Sequence, residues 1–273
     1  MAGQTVSTPD GRRLEVCVWG DPEGAPVFWL HGTPGSRFFR HLGDSYLDHR
    51  LRVVTYDRPG YGLSTRVPGR RAADVADDVR AIADALDLDR FGVAGVSGGG
   101  PGALAAAALL PDRVVRCAVV AGPAPFSADG LDFAAGMAED EWHEWQLAVE
   151  GAAALEPSWR DFRGWLEVGL PGVAADYRSI LMEASYEAGR QGSAGYIDDC
   201  LSRVDDWGFA LEDVRAPTQI MVARDDTSIP VAHGEWLVRR LPAAELITVD
   251  GGHLGPRHEP EMRLLAWVGH GTP

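Results

Sequence analysis

Ser97 is the hydroxyl that the sequence best prepares for nucleophilic attack. It stands in VAGVSGGGPG (93–102), between an apolar β-type run and the helix-forming ALAAAALL (103–110). Gly95-Val96-Ser97-Gly98-Gly99 fits G-x-S-x-G, and a strand before it and a helix after it supply the context of a nucleophile elbow. Strand and helix nearly collide at such a turn, so the neighbours two residues before and after the serine must be small. A serine hydroxyl attacks only when a base takes its proton and a third group orients that base. His253, on the Gly-rich loop of ELITVDGGHLGP (245–256), follows a late β-type run and can be the base. The acid should follow the run before it, where MVARDDTSIP (221–230) supplies Asp225 and Asp226. A tetrahedral intermediate also needs two fixed N–H donors. Gly98, directly after the serine, can give one, and Thr33 in WLHGTPGS (29–36) the other.

Positioning these groups requires strands that end at one edge. RLEVCVWG (13–20), APVFWLHG (25–32), LRVVTYD (51–57), RFGVAGV (90–96), RVVRCAVVAG (113–122), PTQIMVAR (217–224) and ELITVDGG (245–252) read as short strands. Several are apolar on both faces, as in a parallel sheet covered on both sides. Helical spacing in 74–88, 101–110 and 231–241 falls between them, which predicts a doubly wound, mostly parallel α/β sheet. The alternation stops between Pro125 and Arg215. That segment holds five of the nine tryptophans and reads as helices broken at Pro157, Pro171 and Gly192–Gly195. The expected organisation is a core of 1–124 and 216–273 with a helical cap, 125–215, over Ser97.

Four ordered motifs, HGTPGS, YDRPGYGLS (56–64), GVSGGG and GGH, with RDDTSIP between the last two, resemble the α/β-hydrolase superfamily. The likeness is to its capped serine branch of esterases and proline iminopeptidases. It implies a Ser97–Asp226–His253 triad. In the family an aspartate is followed four residues later by a helix-opening proline, and Pro230 stands four after Asp226. Neighbours on an extended segment point opposite ways, so Asp225 should face away from His253. The Asp57–Ser64 turn is structural in the family. Epoxide hydrolases and dehalogenases carry an aspartate where Ser97 stands. Iminopeptidases carry a bulky residue where Gly98 stands. The expected reaction is hydrolysis of a small, largely apolar ester through an acyl-enzyme on Ser97. Alternatives are an iminopeptidase-like amide hydrolase, a lyase or cofactor-free oxygenase using the same Ser-His pair, and, least favoured, a ligand receptor.

Composition narrows the rest. The net charge of −15 disfavours nucleic acid as a partner. All 25 basic residues are arginine and asparagine is absent, which removes Schiff-base and P-loop lysines and a Cys-His-Asn triad. No apolar run approaches a membrane span, and MAGQTVSTPDGRRLEV contains no leader-like apolar stretch, so a cytoplasmic enzyme without membrane contact is expected. Cys17, Cys117 and Cys200 lack C-x-x-C spacing and read as core thiols. HEWQL at His143 lacks the second histidine of a zinc motif, so neither a metal nor another cofactor is expected. The partner is a small-molecule substrate, with Trp142, Trp145 and Trp165 as candidate binding residues. The sequence leaves substrate identity and oligomeric state open.

Overall fold

The computed structural model describes residues 2–168, 173, 175–255 and 258–271. Eight strands form one sheet: β1 (Ala2–Ser7), β2 (Arg13–Gly20), β3 (Ala25–Leu30), β4 (Leu51–Tyr56), β5 (Phe91–Val96), β6 (Val114–Val120), β7 (Thr218–Ala223) and β8 (Ala244–Val249). Their spatial order is β1-β2-β4-β3-β5-β6-β7-β8. β2 runs antiparallel to β1 and β4, and β3 to β8 pair in parallel. β1 escapes the sequence pattern because it is an edge strand, largely exposed among its described side chains, with Val6 in the core.

The two-residue period of the strands fills two cores. In β3, Phe28 and Leu30 join one core, while Val27 and Trp29 join the opposite one. The first lies under α2 (Val75–Ala85), α3 (Gly100–Leu109) and α8 (Val231–Arg240), through residues such as Ile82, Leu104 and Leu237. The second lies under α9 (His258–His270), through Leu264, Leu265 and Val268. A short helix, α1 (Ser45–Asp48), precedes β4 and adds Tyr46 to that second core. Helices on both faces follow from strands that are apolar on both faces.

Between β6 and β7 stand α4 (Glu139–Glu150), α5 (Ala152–Glu167), α6 (Ala175–Ala188) and α7 (Ala194–Val204). Pro157 does not break a helix, contrary to the sequence expectation. It lies inside α5 near its first turns, where few backbone hydrogen bonds are lost. The expected break at Gly192–Gly195 is present, because Gly192, with φ +81°, ends the turn after α6 and α7 starts at Ala194, so that only Gly195 lies inside the helix; Pro171 falls outside the described residues. His41 sits buried in the loop after β3. Cys17, Cys117 and Cys200 are buried free thiols. Among the described residues no helix is long and apolar enough to cross a membrane.

Candidate active site

β5 delivers Ser97 at its carboxyl end, where the chain turns directly into α3. Ser97 has φ +51°, a left-handed conformation that costs a non-glycine residue energy and that tertiary packing must enforce. The packing is visible at its neighbours. A Cβ at Gly99 would lie 2.5 Å from the Leu30 carbonyl oxygen, and one at Gly95 would overlap the Gly99 carbonyl. α3 then packs into the core beneath it through Ala103, Ala106 and Ala107, all fully buried.

The ends of β7 and β8 bring the partners. Ser97 Oγ lies 3.0 Å from His253 Nε2, and His253 Nδ1 lies 2.8 Å from Asp226 Oδ2. With Nδ1–H donating to the carboxylate, Nε2 is left as the acceptor for the serine proton. The second oxygen, Asp226 Oδ1, accepts the backbone N–H groups of Ser228 (2.9 Å) and Ile229 (2.8 Å). Burial acts to raise the Asp226 carboxyl, but the His253 hydrogen bond and these two N–H groups outweigh it and hold it below its ordinary value. Asp225, its neighbour, is exposed. Pro230 caps α8 rather than filling its first turn.

The loop after β3 meets the elbow at Gly98. A Cβ there would sit 2.9 Å from Thr33 Cβ and 3.3 Å from Thr33 N, so only glycine allows this approach. The Thr33 N–H has no hydrogen-bond acceptor among the described residues. Thr33 and Gly98 thus bring two backbone amides to one side of Ser97.

Above these groups lies a cavity of about 240 Å³. Ser97, His253 and Thr33 line it, with Phe39, Val96, Ile229 and Leu254 adding apolar wall. The segment between β6 and β7 contributes Trp145, Phe162, Tyr177, Leu181 and also Glu141, Glu144, Tyr196 and Arg203. Trp145 is buried and lines the cavity. Trp142 does not stand among the lining residues: it packs against Phe126 and Phe133, whose rings also hold Trp145, and so serves the small core behind the wall. Trp165 belongs to α5, and its side chain lies outside the described residues.

The wall is more polar than its tryptophans suggest. Glu144 accepts hydrogen bonds from Tyr196 Oη (2.6 Å) and Arg203 (2.7 Å), so its charge is balanced locally. Glu141 accepts one from Ser228 Oγ (2.6 Å), and burial pushes its carboxyl up. Below the site, Asp199 of α7 takes hydrogen bonds from Thr33 Oγ1 (2.8 Å), Tyr61 Oη (2.8 Å), Arg58 and Arg70. Sequence reading missed Arg58, Arg70 and Asp199. The available signal was an acidic residue beside Tyr196 and Cys200 on an amphipathic helix, a pattern that names no partner.

Comparison with known proteins agrees with this fold. The family model described as alpha/beta hydrolase fold matches residues 25–256. The non-heme chloroperoxidase of Streptomyces lividans is 27% identical over 233 residues, covering 84% of each chain. The 2-hydroxy-6-oxo-6-phenylhexa-2,4-dienoate hydrolase of Comamonas testosteroni is 27% identical over 242 residues, covering 82% of this chain and 79% of that one. The bromoperoxidase structure from Bacillus anthracis superposes with a TM-score of 0.72 at 19% identity, covering 96% of both chains, a likeness of fold. The chain belongs to the alpha/beta hydrolase fold family.

Proposed function

We propose that the protein is a serine hydrolase that cleaves a small ester or related acyl compound through an acyl-enzyme on Ser97. The observation that carries this reading is the continuous relay from Ser97 Oγ through His253 to Asp226, at 3.0 and 2.8 Å. In the first half-reaction His253 Nε2 takes the serine proton as Oγ bonds to the carbonyl carbon. The carbonyl oxygen becomes an oxyanion held by the N–H groups of Thr33 and Gly98. Collapse expels the alcohol, which takes its proton from His253. Water then repeats the sequence: His253 takes its proton, hydroxide adds to the acyl carbon, and Ser97 leaves with the proton returned. Asp226 remains ionised throughout and holds the imidazolium. The 125–215 segment acts as a cap, since half the cavity wall comes from it. A cavity of about 240 Å³ suits a compact acyl group.

Turnover of short p-nitrophenyl esters, together with fluorophosphonate labelling mapped by mass spectrometry, tests the reading. Labelling at Ser97 and hydrolysis are expected. Folded protein that neither labels at Ser97 nor hydrolyses any ester of the series rejects it.

A second reading, hydrolysis of a substrate carrying an amino group, is favoured by Glu141. Its carboxylate reaches the cavity, and its hydrogen-bond partner is the neutral Ser228 hydroxyl. Glu141→Gln separates the two. If the amino group is recognised there, kcat/KM for aminoacyl esters falls about tenfold or more while that for neutral esters holds. An equal effect on both rejects the aminoacyl reading.

A further inference from the structure

We infer that Asp199 is a positioning residue that sets the oxyanion loop from the cap side, so that the two N–H donors are aligned when α7 is docked. This inference rests on the hydrolytic reading and adds to it a residue outside the relay.

The argument begins with how α7 reaches the core. Gly60 has φ +89°, and a Cβ on Gly195 would lie 2.8 Å from the Gly60 carbonyl carbon and oxygen. The start of α7 therefore rests backbone on backbone against the Asp57–Ser64 turn, an approach open to glycine alone. Gln191, just ahead of the helix, donates through Nε2 to the carbonyls of Gly62 (3.1 Å) and Ser64 (2.8 Å). Arg66 grips Asp198 with two hydrogen bonds, 2.8 and 2.9 Å.

Docked in this way, α7 presents Asp199 to the loop after β3. Oδ2 accepts a hydrogen bond from the Thr33 hydroxyl at 2.8 Å. Arg58, paired with the same oxygen, also donates to the carbonyls of His31 and Gly32, the latter at 3.0 Å. One carboxylate thus fixes the Thr33 side chain directly and the backbone of residues 31 and 32 through a guanidinium. That leaves the Thr33 N–H turned away from internal partners, beside Gly98. Asp199 is buried; burial acts to raise its carboxyl, but Arg58 and Arg70 hold it far below its usual range. Removing its charge would leave two buried guanidinium groups facing each other, and they would relax by moving the loop they hold. A displacement of an oxyanion donor by a fraction of an ångström acts on the transition state more than on bound substrate.

The experiment is a cycle of Asp199→Asn, Thr33→Val and the double variant, each assayed for kcat, KM and affinity for a trifluoromethyl ketone. That probe adds to the serine and places an oxyanion in the hole. Each single change is expected to lower kcat by roughly 10- to 100-fold and the ketone affinity in parallel, with KM within about twofold. The double variant should fall no further than Asp199→Asn, because Thr33→Val removes only one of the contacts through which Asp199 acts. Asp198→Asn weakens the same helix at its exposed partner Arg66, and should lower Tm with a clearly smaller loss of kcat than Asp199→Asn. Multiplicative losses in the double variant, or a change in KM alone, overturn the inference. Should Asp199→Asn not fold, Thr33→Val decides, since it leaves every buried ion pair intact: unchanged kcat and ketone affinity overturn the inference. Active, Ser97-labelled wild-type protein with these variants unaltered would reject the positioning role only. Inactive, unlabelled wild-type protein would reject the hydrolytic reading itself.

Discussion

The elbow and α7 both press chain tightly against the catalytic edge of the sheet, by opposite means. The β5–α3 elbow succeeds by omission: Gly95, Gly98 and Gly99 and the alanines of α3 leave nothing in the way. α7 needs the same omission once, at Gly195. It then relies on charge: buried Asp199 is matched to buried Arg58 and Arg70, and buried Asp198 to the exposed Arg66. An interior built by omission fails when anything is added, because packed backbone cannot give way. An interior built from charges fails when any one charge is removed, because the others are left desolvated and unpaired. Additions should therefore unfold the elbow, whereas subtractions should misalign α7.

The largest effects fall on chemistry that both regions serve. Ser97→Ala adds no bulk, so folding should be preserved while ester turnover drops by roughly 10⁴- to 10⁶-fold, measured against a Tm within a degree or two of wild type. Asp226→Ala should cost about 10⁴-fold in kcat, since the imidazole loses its tautomer and orientation. Asp225→Ala, on an exposed side chain, should change kcat by less than about threefold. A reversed order of those two aspartates at matched folding would move the acid to Asp225. Gly95→Ala tests the omission side. Its methyl would overlap the Gly99 carbonyl, so we expect a loss of roughly 3 kcal/mol or more in urea unfolding. If instead it folds normally with reduced kcat, the elbow is more yielding than its packing implies.

The same contrast explains what could be read from residues alone. The elbow lies within one short stretch, and its requirement, a small residue at fixed offsets from Ser97, is written as spacing. Strands apolar on both faces announce a covered parallel sheet in the same local way. Clamps such as Asp199 with Arg58 and Arg70 join residues more than a hundred positions apart, and no local pattern pairs one aspartate among many with its arginines. Asp226 lies between these extremes: the choice over Asp225 came from a family spacing, and the structure adds two backbone N–H groups, from Ser228 and Ile229, on its other oxygen. The tryptophan density of 125–215 suggested an apolar wall. Trp145 reaches the cavity, but Trp142 is taken up by the rings of Phe126 and Phe133, and the polar part of the wall came from Glu141, Glu144 and Arg203. Aromatic content shows that a segment packs, and leaves open which face it turns to a ligand.

The smallest expected effect concerns where the chain leaves β6 for the inserted segment, and how that tether responds to acid compared with α7. His233 of α8 is fully buried; its Nδ1 accepts the Ala124 N–H at 3.2 Å, and its Nε2 lies 3.0 Å from the Phe133 carbonyl, which requires the neutral ring. Burial lowers its affinity for a proton below the ordinary 6.5. The unfolded chain therefore takes up a proton that the folded chain refuses, and stability from this group is lost as pH falls through about 6.5. Buried His31 and His41 act in the same direction. Asp57 and Asp78, pushed up to about 6 by burial, act in the opposite one, since the folded state binds their protons first. Asp199, held low by its arginines, keeps its charge throughout this range. His233→Gln should be less stable than wild type at pH 7.5 and should lose less Tm than wild type on going to pH 5.5. Parallel Tm-versus-pH curves for the two proteins would show that His233 is protonated in the fold, and that the Ala124 and Phe133 contacts are made by some other arrangement.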